Sequence, residues 1–128
     1  MTIPPPPVIL YLEDKDMLRQ TVRDVLLFAG WYVKTSSSGS YTWVMVDRPH
    51  EHYDLLLFDN ESHGFTGLEL TRRVRRLPYR KETPIILISF YDLAEEAREA
   101  GANAFLRKPN NLIELVDTIR RLLPAPAK

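Results

Sequence analysis

Three stretches of this chain are almost wholly apolar for five residues and then break off: VILYL at 8–12, DLLLF at 54–58 and IILIS at 85–89. None alternates between apolar and polar residues, so none suits a sheet with one face in water. Continuous runs of this length belong to strands covered on both faces, as in parallel sheets. Amphipathic segments lie between and after them. Residues 16–29 place Met17, Leu18, Val22, Val25, Leu26 and Ala29 at helical spacing, with Gly30 as the stop. Residues 68–77 place Leu68, Val74 and Leu77 inward and four arginines outward. Residues 112–123 put Leu112, Leu115, Val116, Ile119 and Leu123 on one face.

Weaker signals fill the gaps. WYVKT (31–35) alternates like a strand, 40–48 reads as a helix ended by Pro49, 93–100 as a short helix closed by Gly101, and AFL (104–106) as a short strand. Five strand-then-helix repeats with right-handed crossovers predict an α/β fold, a doubly wound five-stranded parallel sheet in a three-layer sandwich.

The 128 residues suit one domain at 8–123, after a proline-rich leader at 1–7 that reads as disordered and before a tail or linker stump at 124–128. A proline-motif ligand is the other reading of the leader. Equal numbers of basic and acidic residues, 17 each, give no pull toward nucleic acid or an anionic membrane. The absence of cysteine excludes disulfides, thiolate metal sites and a cysteine nucleophile, and suits a cytoplasmic setting. No apolar run reaches membrane-spanning length.

In such sheets, function collects beyond the carboxyl ends of the strands. There the first run leads into Glu13 and Asp14, the third strand into Asp59, the fourth into Ser89, and the fifth into Arg107, Lys108 and Pro109. Each residue also has a plain reading: Glu13 and Asp14 as a helix N-cap, Asp59 as a turn residue, Lys108 as a solvated lysine. Together they place three carboxylates, a hydroxyl and an ammonium at one rim. Crowded carboxylates repel, and a hard divalent cation with oxygen ligands relieves that repulsion. A metal-bound carboxylate beside Ser89 and Lys108 has the parts that phosphoryl transfer needs.

The motifs ILYLEDKDMLR, DLLLFDNESHGFTGLEL, PIILIS and GANAFLRKP, in that order, resemble the receiver domain of two-component response regulators, the chemotaxis regulators among them. The resemblance implies a flavodoxin-like sheet of order 2-1-3-4-5. It implies Asp59 as phosphoacceptor, Glu13, Asp14, Asp59 and the Glu61 backbone carbonyl as ligands of Mg2+ (or Mn2+), and Ser89, Phe105 and Lys108 as the switching and phosphoryl-binding set. It also implies a cis bond before Pro109. The implied partners are a sensor histidine kinase or phosphotransfer protein and a downstream effector protein or domain. A homodimer through the fourth and fifth helices is a further expectation, with Glu95, Glu96 and Glu99 on one and Arg120 and Arg121 on the other.

Departures from that pattern fall around the acceptor. Ser62 and His63 stand where the family commonly has Met-Pro, predicting a looser loop. Glu61 stands two residues past Asp59, where its side chain can screen a phosphoryl group, orient water or bind metal. Phe90, after Ser89, is bulky where a small residue is usual and predicts slower exchange with small donors. Three rivals stay open: a pseudo-receiver that binds partners without phosphorylation, an aspartate-nucleophile phosphatase with Glu61 as second acid, and a metal site from His50, Glu51 and His52 with Asp54 or His63. The run RRVRRLPYRK (72–81) reads as a solvated helix face rather than a nucleic-acid surface, and flavin binding lacks a phosphate loop after the first strand.

Overall fold

A computed structural model describes residues 3–109 and 111–123. The expected tail at 124–128 and the first two residues of the expected leader lie outside these. Elements alternate throughout: β1 (Val8–Leu12), α1 (Asp16–Phe28), β2 (Tyr32–Ser36), α2 (Gly39–Val46), β3 (Leu55–Asp59), α3 (Gly67–Val74), β4 (Ile85–Ser89), α4 (Ala94–Ala100), β5 (Ala104–Arg107) and α5 (Leu112–Leu122). The strands form one parallel sheet in the order β2-β1-β3-β4-β5, as expected.

Successive side chains in a strand point to opposite faces, and that divides the core in two. Ile9, Tyr11, Leu55, Leu57, Ile86 and Ile88 pack with Val22 and Leu26 of α1 and Leu115 and Ile119 of α5. Leu10, Leu12, Leu56, Phe58, Ile85 and Leu87 pack with Val46, Leu70, Val74 and Ala97 of α2, α3 and α4. Uninterrupted apolar runs are therefore needed, because both faces of each central strand are covered. Register then aligns the carboxyl ends: Leu12 lies beside Ser36 and Phe58, Asp59 beside Ile88, and Ser89 beside Arg107.

Two expectations about ends needed correction. Asp59 is the last residue of β3 rather than the first beyond it. The third helix ends at Val74 instead of Leu77, since Leu77 precedes Pro78 and takes an extended conformation (φ −84, ψ 119), as a residue before proline prefers. The four arginines are not all outward. Arg75 turns back to donate to the carbonyls of Gly101 (2.9 Å), Arg80 (3.1 Å) and Thr83 (2.9 Å) and to Asn103 Oδ1 (2.8 Å). Arg80 is buried and donates to the carbonyls of Val46, Arg48 and Glu51. Both arginines hold loops on the face opposite α1 and α5.

The leader begins to pair before β1: Pro7 accepts from Tyr32 N–H at 2.9 Å. Among the described residues no helix is long and apolar enough to cross a membrane.

Candidate functional site

Glu13 and Asp14 follow β1 directly but do not cap α1. The cap position is Lys15, which makes no side-chain cap bond. Arg19, one turn into α1, donates to the Glu13 carbonyl at 2.9 Å and pairs with Asp16 at 2.6 Å, which fixes the chain leaving β1. Freed from capping, the acids turn to the rim. One carboxylate oxygen each from Glu13, Asp14 and Asp59 lies within 4.8 Å of the others, and among the described residues no other such group of potential metal ligands forms.

Lys108, one residue past β5, reaches back to this group. Its Nζ stands 2.7 Å from Asp59 Oδ1 and 2.9 Å from Glu13 Oε1, with the side chain 8% exposed. The Lys108 N–H is anchored on the Ser89 carbonyl at 2.8 Å, and the Lys108–Pro109 bond is cis. Burial works against the ammonium, but its bonds to Asp59 and Glu13 outweigh that and hold its pKa above the usual lysine value. Glu13 goes up as well, chiefly through burial and with Asp59 adding to it, despite Lys108. The two directions are consistent: one ammonium cannot neutralise two buried carboxylates. A negative residue of charge is left over.

The loop after Asp59 is tied at both ends of its acidic residue. Asn60 Oδ1 accepts from Leu68 N–H at 2.9 Å, on the first turn of α3, where Thr66 and Glu69 form a capping box. A Cβ on Gly67 would run into Leu87 and come within 3.1 Å of the Asp59 carbonyl, so the start of α3 lies directly against the end of β3. Ser62 Oγ donates to Asp59 Oδ2 at 2.6 Å and accepts from Asp14 N–H at 3.2 Å. His63 Nδ1 lies 2.7 Å from Asp14 Oδ2. Burial raises the Asp14 carboxyl, but the contact and charge of His63 outweigh it, leaving its pKa below the usual aspartate value. The loop expected to be looser is thus fastened to both acids.

The sequence offers Ser62 only as a departure from the family pattern, and His63 as that and as a ligand of the histidine-rich loop; neither reading places them on Asp59 and Asp14. The signal for Ser62 is a hydroxyl three residues after a strand-end aspartate, close enough for the two side chains to bond directly.

The Glu61 side chain crosses to β4. Its Oε2 accepts from Ser89 Oγ at 2.6 Å and its Oε1 from Phe90 N–H at 2.9 Å. Ser89 is wholly buried, and Phe90 lies over Lys108, its ring centroid 5.2 Å from Nζ. Phe105 is half-buried against the cluster on the α2, α3 and α4 side. The histidine-rich loop does not assemble a metal site: Glu51 pairs with Lys34 (3.2 Å), His52 with Asp54 (2.9 Å), and His63 belongs to the rim. That rival reading is not supported: His52 and Asp54 pair with each other and Asp54 also accepts from Val8 N–H, but among the described residues no third candidate ligand joins them.

The donor set fits a hard cation. Its three side-chain donors are carboxylates, they carry more negative charge than Lys108 offsets, and they converge from two strand ends. Such a site can bind a divalent ion and hold a phosphoryl group beside Lys108, Ser89 and the backbone amide of Phe90.

Comparison with known proteins gives the family and the fold. Residues 9–120 match the family described as the response regulator receiver domain. The chain is 36% identical over 98 residues, 74% of its length, to the cyclic di-GMP phosphodiesterase response regulator RpfG of Xanthomonas campestris, covering 25% of that protein. The fold matches the chemotaxis response regulator CheY4 of Vibrio cholerae with a TM-score of 0.84 at 27% identity, over 92% of this chain and 99% of that one. It matches the response regulator TrrA of Thermotoga maritima, solved in complex with Mg2+ and BeF, with a TM-score of 0.81 at 25% identity, over 91% and 99%. The chain spans from 13% to 50% of the length of several curated relatives.

Proposed function

The chain belongs to the response regulator receiver family, whose members are signalling modules, and we propose that it works as a phosphoacceptor: Asp59 takes a phosphoryl group in the presence of a divalent metal, and the added charge reshapes the surface formed by α4, β5 and α5. One observation supports this above the rest. Carboxylates from the ends of β1 and β3 meet within 4.8 Å, and the ammonium that follows β5 lies 2.7 Å from Asp59.

In the transfer, an Asp59 oxygen forms a new O–P bond while the donor's P–N or P–O bond breaks, and the electron pair leaves with the imidazole or acetate. Glu13, Asp14, Asp59 and the Glu61 backbone carbonyl would hold Mg2+ or Mn2+, which supplies positive charge against the oxygens in transfer. Lys108 lies beside Asp59 to neutralise a phosphoryl oxygen, and Ser89 Oγ and the Phe90 amide are donors for others. The product carries up to roughly two negative charges where one carboxylate stood. Ser89 and Phe105 lie on β4 and β5, so rearrangement of either is felt by α4 and α5.

Donors are a sensor histidine kinase or phosphotransfer protein, and the receiver of the signal is an effector protein or domain. Glu95, Glu96 and Glu99 on α4 and Arg120 and Arg121 on α5 are exposed, which supports an isologous dimer with opposite charges facing across a two-fold axis.

Intact-mass measurement with acetyl phosphate and magnesium tests the reading. The wild type should gain one phosphoryl group and Asp59→Ala none. An unlabelled wild type would establish a pseudo-receiver instead, and sustained turnover of a phosphate ester an aspartate-nucleophile phosphatase. Phe90→Ala should label and decay roughly two- to fivefold faster, the equivalent of one exposed cation–π contact. Its ring is half exposed and covers Lys108, while the Phe90 amide survives the change. Unchanged rates would show that the ring does not limit access.

A further inference from the structure

Glu61 does more at this rim than stand near it. Its two carboxylate oxygens each receive one donor, Ser89 Oγ at 2.6 Å and Phe90 N–H at 2.9 Å. Ser89 Oγ in turn accepts from Tyr91 N–H at 3.0 Å, so its single proton is committed to Glu61. Neighbours on either side direct the side chain there. Asn60 is held back on α3 by its bond with Leu68, and Ser62 is held on Asp59. Among the described residues no cation is ion-paired with Glu61, and the Lys108 ammonium is shared between Asp59 and Glu13. The corner at the end of β4 is therefore an anion subsite of one hydroxyl and one amide, and an anion from the same chain already sits in it.

We propose that Glu61 is an internal stand-in for the phosphoryl group: it fills the Ser89–Phe90 subsite in the resting protein, and a phosphoryl group on Asp59 must displace it. This rests on Asp59 being the acceptor. Two consequences follow. The Ser89 hydroxyl is already drawn toward an acceptor at the rim before any transfer, so phosphorylation exchanges one anion for another there instead of recruiting an idle hydroxyl. Entry of an anionic donor also requires breaking two charge-assisted bonds beside a cluster already rich in carboxylates. Glu61 is a positioning residue that competes with the product for its donors.

The test uses Glu61→Gln, which keeps the shape but removes the charge, and Glu61→Ala, which empties the corner. Without metal or donor, the Phe90 amide proton resonance of the whole protein should move upfield in both variants, and its hydrogen exchange should accelerate. With acetyl phosphate and magnesium, both variants should label Asp59 faster than the wild type, by roughly tenfold or more in Glu61→Ala, the equivalent of one hydrogen bond to a charged group. Labelling at the wild-type rate or slower, or an unmoved Phe90 resonance, overturns the proposal while leaving Asp59 as acceptor. Absence of label from wild type and variants alike removes the acceptor reading, and this inference falls with it. That pattern is distinct from equal labelling.

Discussion

Lys108→Ala is expected to lose about 3 kcal/mol of stability at neutral pH in the absence of metal, the usual range for stranding a buried charge, and to label Asp59 poorly if at all. Glu13 and Asp59 are 1% and 2% exposed, and without the ammonium between them they lack a cation. Two remedies exist, a proton or a metal ion, and each gives a measurable signature. A carboxyl whose pKa is raised in the folded protein binds more protons there than when unfolded, so stability falls as pH rises from the unfolded value toward the folded one. Glu13 is already raised by burial in the wild type. Loss of Lys108 should raise it further and deepen that decline, from about pH 4.3 upward. Denaturation melts between pH 5 and 8, with and without magnesium, check this. The variant should recover at low pH and gain more from magnesium than the wild type does. A loss that responds to neither would mean that the lysine's role is packing alone.

Arg80→Met is expected to cost about 3 kcal/mol or more, with no direct effect on Asp59 labelling per folded molecule. The residue is 3% exposed, and its guanidinium donates to the Val46 carbonyl at 2.8 Å, Arg48 at 2.9 Å and Glu51 at 2.7 Å and lies 4.9 Å from the Tyr53 ring centroid. Methionine replaces the volume and strands the Val46 and Glu51 carbonyls, each costing about 1–3 kcal/mol when buried without a partner, while the Arg48 carbonyl keeps its bond from Glu51 N–H at 3.2 Å. Lysine at this position should recover only part of the loss, because a single ammonium cannot reproduce a planar fork. Urea unfolding of the three proteins measures the difference. A loss under about 1 kcal/mol would show that water satisfies those carbonyls.

The two variants also mark what could be read from the chain and what could not. The sheet was legible because strands covered on both faces must be apolar without interruption, and VILYL, LLLF and IILIS have little other use. Asp14, Asp59, Ser89 and Lys108 were legible because parallel topology assigns every strand end to one rim. Arg80 was not, nor was Arg75. An arginine facing water and one capping distant carbonyls look the same in RRVRRLPYRK, since their acceptors are backbone atoms that any residue supplies. Pro78 was the missed clue, as it ends the helix and turns the chain before Arg80 reaches across to Val46, 34 residues back. The fastening of Ser62 and His63 onto Asp59 and Asp14 was hidden for a related reason: a comparison with family habit says what is missing from a loop, not what takes its place.

Glu13 and Lys108 are 95 positions apart, yet they meet at 2.9 Å with Asp59 between the strands that carry them. A nascent or damaged polypeptide lacking its final strand would still carry Asp59 but not the ammonium that pairs with it. On the proposed reading, competence to receive a message would then depend on finished assembly, and a truncated molecule would stay mute rather than misreport.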